Sequence, residues 1–222
     1  MPGLAQVFIA CSLDGFIAGE DDDLSWLPGV GGDGGDAGDA LGAEPAEDTT
    51  TTEGGAPGDE PGGNATPDAD AARDDHGFGA FFAQVGALLM GRRTYDVVAG
   101  FERWYYGDTP VLVATTRPLG TPAAPTVRAV SGTPQELLAA AREVAGERNV
   151  YVDGGMLIRS FLDAGLIDEL TVSIIPVILG AGIPLFAGTA RRTPLELIDQ
   201  RAGGTLVQLR YRPAAGGRPA PQ

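Results

Sequence analysis

Three turns of this sequence offer backbone or hydroxyl groups to an anion, and two of them add guanidinium groups. In Leu88-Leu89-Met90-Gly91-Arg92-Arg93-Thr94-Tyr95 an apolar run breaks at a glycine, and two arginines and a threonine follow at the expected start of a helix. Helix N-termini favour anions, and guanidinium groups strengthen that preference. Gly91 lets backbone approach a ligand, and Thr94 adds a hydroxyl. Taken alone, the same residues also describe an ordinary helix start with surface arginines. A second glycine turn stands at Val152-Asp153-Gly154-Gly155-Met156, and Thr115-Thr116-Arg117 follows a third apolar run. Ligands of open parallel sheets lie outside the carboxyl ends of the strands, and all three turns fall at such ends. Their coincidence points to one large, multiply phosphorylated ligand. A dinucleotide is the natural candidate.

Other chemistries are excluded or left without partners. There is no lysine, so a lysine Schiff base or lysine general base is ruled out. Cys11 is the one cysteine and sits inside an apolar run, where it reads as a small core residue and leaves no disulfide framework. His76 is the one histidine, and a metal site is not expected. No apolar run approaches the roughly 20 residues of a membrane span. The segment Leu4–Ala10 lacks a basic region before it and reads as a first strand, not a signal peptide. The chain is expected in the cytoplasm, with neither membrane nor nucleic acid as partner.

The net charge of −15 belongs to one segment. Between Glu20 and Asp75 lie 17 of the 30 acids and a single base, Arg73; elsewhere 13 acids face 14 arginines. From Gly29 to Arg73 the composition is Gly, Pro, Asp, Glu, Thr and Ala, with Val30 and Leu41 the only large aliphatics. Such a stretch cannot bury enough apolar surface to offset its conformational entropy, and closing a long loop costs only slowly more with length. A disordered acidic insertion at 29–73 is therefore expected within a single domain formed by 1–28 and 74–213. A disordered tail is expected at 214–222.

The elements that would position the three turns alternate along the rest of the chain. Strands are expected at Gln6–Ser12, Ala87–Met90, Pro110–Thr115, Thr126–Val130, Asn149–Val152 and Asp168–Ile178. Phe78–Val85 reads as a helix carrying Phe81 and Phe82, and another begins near Thr94. Thr133-Pro134-Gln135-Glu136 fits a capping box with proline at the first helical position. Its helix carries Leu137, Leu138, Ala141 and Val144 on one face and stops at Gly146. A further helix runs through Leu157, Ile158, Phe161 and Leu162 to Gly165. Leu195–Gln200 and Thr205–Tyr211, joined across Gly203-Gly204, read as a closing hairpin. This order predicts an α/β domain of three layers: a mainly parallel sheet, helices on both faces, and a C-terminal antiparallel hairpin.

Ile9-Ala10-Cys11-Ser12-Leu13-Asp14-Gly15-Phe16-Ile17-Ala18 resembles the first strand and loop of the dihydrofolate reductase-like superfamily. Met90–Tyr95 and Asp153-Gly154-Gly155 resemble its two cofactor turns. The run Ile174-Ile175-Pro176-Val177-Ile178-Leu179-Gly180-Ala181-Gly182-Ile183-Pro184-Leu185-Phe186 is similar to one branch. That branch holds the reductase domain of riboflavin-biosynthesis deaminase-reductases and small stand-alone bacterial relatives. The resemblance implies NADPH as cofactor and hydride transfer to a C=N or related bond of a heterocycle. It implies that Gly91, Arg92, Arg93 and Thr94 hold the 2′-phosphate and pyrophosphate, with Thr115, Thr116 and Arg117 sharing the 2′-phosphate. Gly154, Gly155, Met156 and Leu157 would line the pyrophosphate, and Ala10, Ile17 and Ala18 would contact the nicotinamide.

On the substrate side, Leu24-Ser25-Trp26-Leu27-Pro28 resembles the family's Leu-Pro-Trp loop, with serine where proline is usual. Trp26 and Phe82 are the expected substrate contacts. Asp75, fifteen residues before Met90, stands at the family's offset for a catalytic carboxylate, and Asp14 beside the nicotinamide turn is the other candidate acid. Each also has a bland reading, Asp75 as a solvated helix start and Asp14 as a turn former. A pterin or a riboflavin-precursor pyrimidine is the implied substrate type. Two alternatives stand beside it: 5-amino-6-(5-phosphoribosylamino)uracil reductase, and a catalytically weak NADP-binding protein with an acidic docking loop. A homodimer is compatible with the family.

Overall fold

The computed structural model describes residues 2–27, 76–101, 103–203 and 206–214. The expected acidic insertion at 29–73, the candidate acid Asp75 and the tail beyond Ala214 lie outside the described residues. The elements run β1 (Ala5–Ser12), β2 (Phe16–Ala18), α1 (Phe78–Phe82), β3 (Val85–Gly91), α2 (Arg92–Val98), β4 (Val111–Ala114) and β5 (Val127–Val130). They continue with α3 (Pro134–Ala145), β6 (Asn149–Asp153), α4 (Gly155–Asp163), β7 (Glu169–Ile175), β8 (Ile183–Pro184), β9 (Leu195–Gly203) and β10 (Leu206–Pro213).

Among the described residues, eight strands form one sheet in the order β5-β4-β3-β6-β1-β7-β10-β9. Pairing is parallel from β5 through β7, and β10 and β9 close the edge antiparallel. From β1 to β3 and on to β4 the chain moves toward one edge; from β5 to β6 and on to β7 it moves toward the other. Right-handed crossovers in opposite directions place their helices on opposite faces. The packing follows: Phe78 of α1 and Tyr95 and Val98 of α2 join Leu88, Met90, Val111, Val113 and Tyr151 in one cluster. Leu137, Leu138 and Ala141 of α3 and Ile158, Phe161 and Leu162 of α4 join Val7, Leu89, Val150, Val152 and Leu170 in the other. The three-layer expectation holds.

Local chemistry explains most boundaries. The Thr133 side chain accepts from the Glu136 N–H while Glu136 accepts from the Thr133 N–H at 2.8 Å, so the capping box forms with Pro134 at the first position. Glu136 is held below the usual carboxylate range by those Thr133 hydrogen bonds. β7 stops at Ile175 instead of continuing to Ile178, because Pro176 brings no N–H to the ladder.

Two other expectations are corrected. The helix placed at Phe78–Val85 ends at Phe82, and Val85 opens β3. Phe78, Phe81, Phe82 and Val85 have helical spacing, but Val85 pairs with Asn149 of β6 and is buried as a strand residue. The antiparallel pair of β2 with β8 was not foreseen. It forms where the chain after β7 folds back, with the Leu185 N–H bonded to the Gly15 carbonyl at 2.9 Å. At Gly182, φ is +141° and a Cβ would collide with the Ala18 carbonyl, so only glycine lets the two segments meet.

Candidate functional site

Strand β6 is the topological switch point of the sheet. The chain leaves β6 for α4 on one face, whereas its neighbours β3 and β1 lead to α2 and α1 on the other. Chains that diverge in this way leave a crevice at the carboxyl ends of the strands, the usual ligand position in open α/β sheets. Gly91, Asp153 and Ser12, which end β3, β6 and β1, border it.

The three turns converge there. Met90 and Asp153 are register partners, so the Gly91 and Gly154 turns lie side by side. At Gly154, φ is +96° and a Cβ would collide with Thr94 Oγ1, so the turns touch through a position that excludes any side chain. Gly91 differs: a Cβ there would find nothing within 4 Å, and its backbone faces open space. The third turn is tied to the first by Arg92, whose Nη1 donates to the Pro118 carbonyl at 2.8 Å and whose Nε donates to Asp96 at 2.7 Å. Thr115 Oγ1 accepts from the Arg117 N–H at 3.0 Å, which shapes the Thr115-Thr116-Arg117 turn and leaves Thr116 and Arg117 exposed.

Around α4 the expected residues divide. Met156 is 78% exposed, whereas Leu157 is buried in the core. A Cβ on Gly155 would come within 2.9 Å of Ile17 Cδ1, which sets Ile17 against the start of α4. Arg159 braces the same corner, donating from Nη1 to the Pro184 carbonyl at 2.6 Å. Ala18, which ends β2 and pairs with Ile183, is buried, and Ala10, half-buried, lies on β1 on the face of α1 and α2.

The candidate acids occupy different environments. Asp14 accepts from the Ser12 hydroxyl at 2.7 Å and from the N–H groups of Leu179 and Gly180 at 3.1 and 2.8 Å. The Ser12 hydroxyl and those backbone donors hold its carboxyl below the usual range. It therefore clamps the β1–β2 turn to the segment after β7 as a carboxylate. Asp153 is the acid the sequence reading passed over, having counted it only as part of a glycine turn. It ends the strand Asn149–Asp153, on the same face as Tyr151, and its charge helps push the buried Tyr106 and Tyr151 hydroxyls up. Burial pushes its carboxyl up to about 6, against the opposing effect of the Gly154 N–H, which donates to Oδ1 at 2.7 Å. The signal was present in the sequence: an ionisable residue closing an apolar strand immediately before a glycine pair.

Of the expected substrate contacts, Trp26 is half-buried in the segment after β2, its Nε1 donating to the Asp23 carbonyl at 3.2 Å. Phe82 stacks on Phe78 at 5.6 Å and packs against Tyr106 at 6.0 Å, so its ring is engaged in the aromatic cluster beneath α1.

This arrangement has known relatives. The family model described as the RibD C-terminal domain matches residues 5–209. The chain belongs to the RibD C-terminal domain family. It is 28% identical over 207 residues to the uncharacterized protein YwjB of Bacillus subtilis, covering 92% of this chain and 95% of that one. A structure from Shewanella sp. PV-4, provisionally named for riboflavin biosynthesis, aligns with a TM-score of 0.68 and 28% identity over 96% of this chain and 99% of the other. Dihydrofolate reductase from Enterococcus faecalis, complexed with NADP(H), aligns with a TM-score of 0.52 at 15% identity, covering 96% and 98% of the two chains. The fold is thus that of the dihydrofolate reductase-like proteins, and reductases stand among the structural neighbours of this RibD-type domain. No helix among the described residues is long and apolar enough to cross a membrane.

Proposed function

We propose that this chain is a reductase that takes NADPH as hydride source for a small planar heterocycle of the pterin or riboflavin-precursor pyrimidine type. The observation that carries the reading is the meeting of the Gly91 and Gly154 turns at the crevice beside β6, with the Thr115–Arg117 turn tied to the first through Arg92 and the carboxyl of Asp153 ending β6. The residues present fit a 2′-phosphorylated dinucleotide. Open space over Gly91 admits a phosphate to backbone, while Arg92, Arg93 and Arg117 supply guanidinium groups that pair better with a phosphate dianion than with a neutral ribose hydroxyl. α2 is a short helix, so these side chains carry more of the anion preference than its terminus does.

The chain's own residues divide the remaining work. Thr94 and the Gly154-Gly155 backbone hold the pyrophosphate, and Ile17, Ala18 and Ala10 form the wall against which the reactive ring lies. Asp153, on the face of α1 and α2, retains its proton near pH 6 and supplies it to the reduced bond. This moves the proton-supplying role from Asp14, which works as a structural carboxylate. Trp26 covers the heterocycle. Positioning carries most of the rate enhancement.

Titration with NADPH followed by nicotinamide fluorescence tests the cofactor. Micromolar or tighter binding is expected, weaker for NADH, and sharply weakened by Arg92→Ala combined with Thr94→Ala. Absence of NADPH binding, with no effect of that double substitution, overturns the reading. NADPH oxidation against dihydropterins, pyrimidinediones and flavin precursors then identifies the acceptor.

A further inference from the structure

We propose that Asp22 sets the affinity of this site for phosphorylated ligands: its carboxylate serves Arg93 as an internal counter-ion that the ligand's phosphate must displace, and the displacement releases the segment carrying Trp26. The proposal rests on the cofactor reading above.

The two arginines of the turn are held differently. Arg92 is braced by Asp96, one turn along the same helix, and by the Pro118 carbonyl of the neighbouring turn. Neither partner has to move for Arg92 to present its remaining N–H groups to an anion. Among the described residues Arg93 has no such brace within its own helix. Its Nε donates to Asp22 Oδ1 at 2.6 Å, across 71 residues of sequence, and Asp21 adds to the negative field around it. The pair is open to solvent, with Arg93 63% and Asp22 30% exposed. A dianionic phosphate can therefore reach Arg93 and compete for the guanidinium with a singly charged carboxylate.

Asp22 is presented by a segment built to hold it out. Asp21 and Asp22 both adopt left-handed backbone, with φ of 54° and 63°, a conformation that aspartate and asparagine tolerate better than most residues. The segment is closed on itself by the Gly19 N–H to the Asp23 carbonyl at 2.8 Å and the Asp23 N–H to the Glu20 carbonyl at 3.1 Å. The indole of Trp26 donates to that same Asp23 carbonyl. Asp22 thus joins Arg93 at the cofactor turn to the residue placed over the substrate, through one short, internally bonded loop. When phosphate replaces Asp22 on Arg93, the loop loses its tether to α2.

The exchange is measurable with fragments of the cofactor. Full-length wild type, Asp22→Asn and Arg93→Ala are titrated by calorimetry with 2′,5′-ADP and with 5′-AMP, which lacks the 2′-phosphate. Tryptophan emission is followed in parallel, and Trp26→Phe separates the Trp26 signal from that of Trp104. Asparagine keeps the left-handed backbone while removing the charge, and equal melting temperatures check that the variant is folded. An exposed ion pair of this kind corresponds to about a two- to fivefold change in affinity. Asp22→Asn is expected to tighten 2′,5′-ADP by that factor and leave 5′-AMP unchanged. Its unliganded emission should already match that of saturated wild type. Equal 2′,5′-ADP affinity in wild type and Asp22→Asn, with the same emission change in both, overturns the role of Asp22 and leaves the cofactor reading intact. Failure of 2′,5′-ADP to bind any of the variants overturns both.

Discussion

Asp153 is a half-buried carboxyl at the end of an apolar strand, and that placement has two consequences of opposite benefit. Its folded value of about 6 lies above the ordinary 3.8, so between those values the folded chain holds a proton that the unfolded chain has released. The stability contributed by this group is therefore fully present below about pH 4 and is lost as pH rises through about 6. The loss is on the order of 3 kcal/mol at neutral pH. Asp153→Asn should remove that decline, so that denaturant unfolding at a series of pH values gives a flatter profile and a more stable protein near neutrality. The same substitution should lower kcat on the order of 100-fold and abolish the fall in kcat/KM as pH rises through about 6. A pH–rate profile unchanged by Asp153→Asn would transfer the proton to water. Asp14 titrates in the other direction, and its three donors explain why an acid beside the site is a poor carrier of protons.

At the scale of elements, Gly91 and Gly182 separate what binds from what folds. Gly91 has ordinary extended backbone, with φ of −70°, and open space beyond its Cα. Gly91→Ala should leave the melting temperature unchanged while weakening NADPH at least tenfold, because a methyl group then stands where a phosphate approaches. Gly182→Ala meets the Ala18 carbonyl in a backbone conformation that alanine resists, and should cost on the order of 2 kcal/mol of stability. Thermal unfolding and cofactor titration of the two variants distinguish these outcomes.

The contrast also marks what could be read from the chain. The Gly91 turn, the capping box at Thr133 and the order of strands and helices follow from local periodicity and capping chemistry, and these were legible. The β2–β8 ribbon was not, because strands of three and two residues have no period, and their pairing is set by contacts between Gly15 and Leu185. Val85 was misplaced for the opposite reason: its helical spacing with Phe78 and Phe81 is real, but pairing with Asn149 outweighs it. Asp153 was visible as a residue type, yet its raised pKa depends on tertiary burial, which the sequence does not show.

On the scale of the whole molecule, the crevice lies where the two helical layers part, and a dinucleotide there would span the turns that lead into both. Gly91, Thr94 and Arg92 belong to the layer of α1 and α2, whereas Gly154 and Gly155 lead into α4 on the opposite face. A dinucleotide spanning both binds only when the sheet is intact and the layers are in register, so it has little affinity for the unfolded chain. Binding restricted to the folded state adds about 2.7 kcal/mol of stability when free ligand is 100 times its dissociation constant. For a domain of this size each kcal/mol raises Tm by about 2–4 °C, which gives an expected increase of roughly 5–10 °C. Arg92→Ala should keep the unliganded Tm within a few degrees while removing most of that increase, since Asp96 and the Pro118 carbonyl lose a half-buried partner at the surface but the core is untouched. Differential scanning calorimetry with and without NADPH measures both quantities. An increase of the same size in wild type and Arg92→Ala would place the ligand away from the Gly91–Thr94 turn that carries that guanidinium.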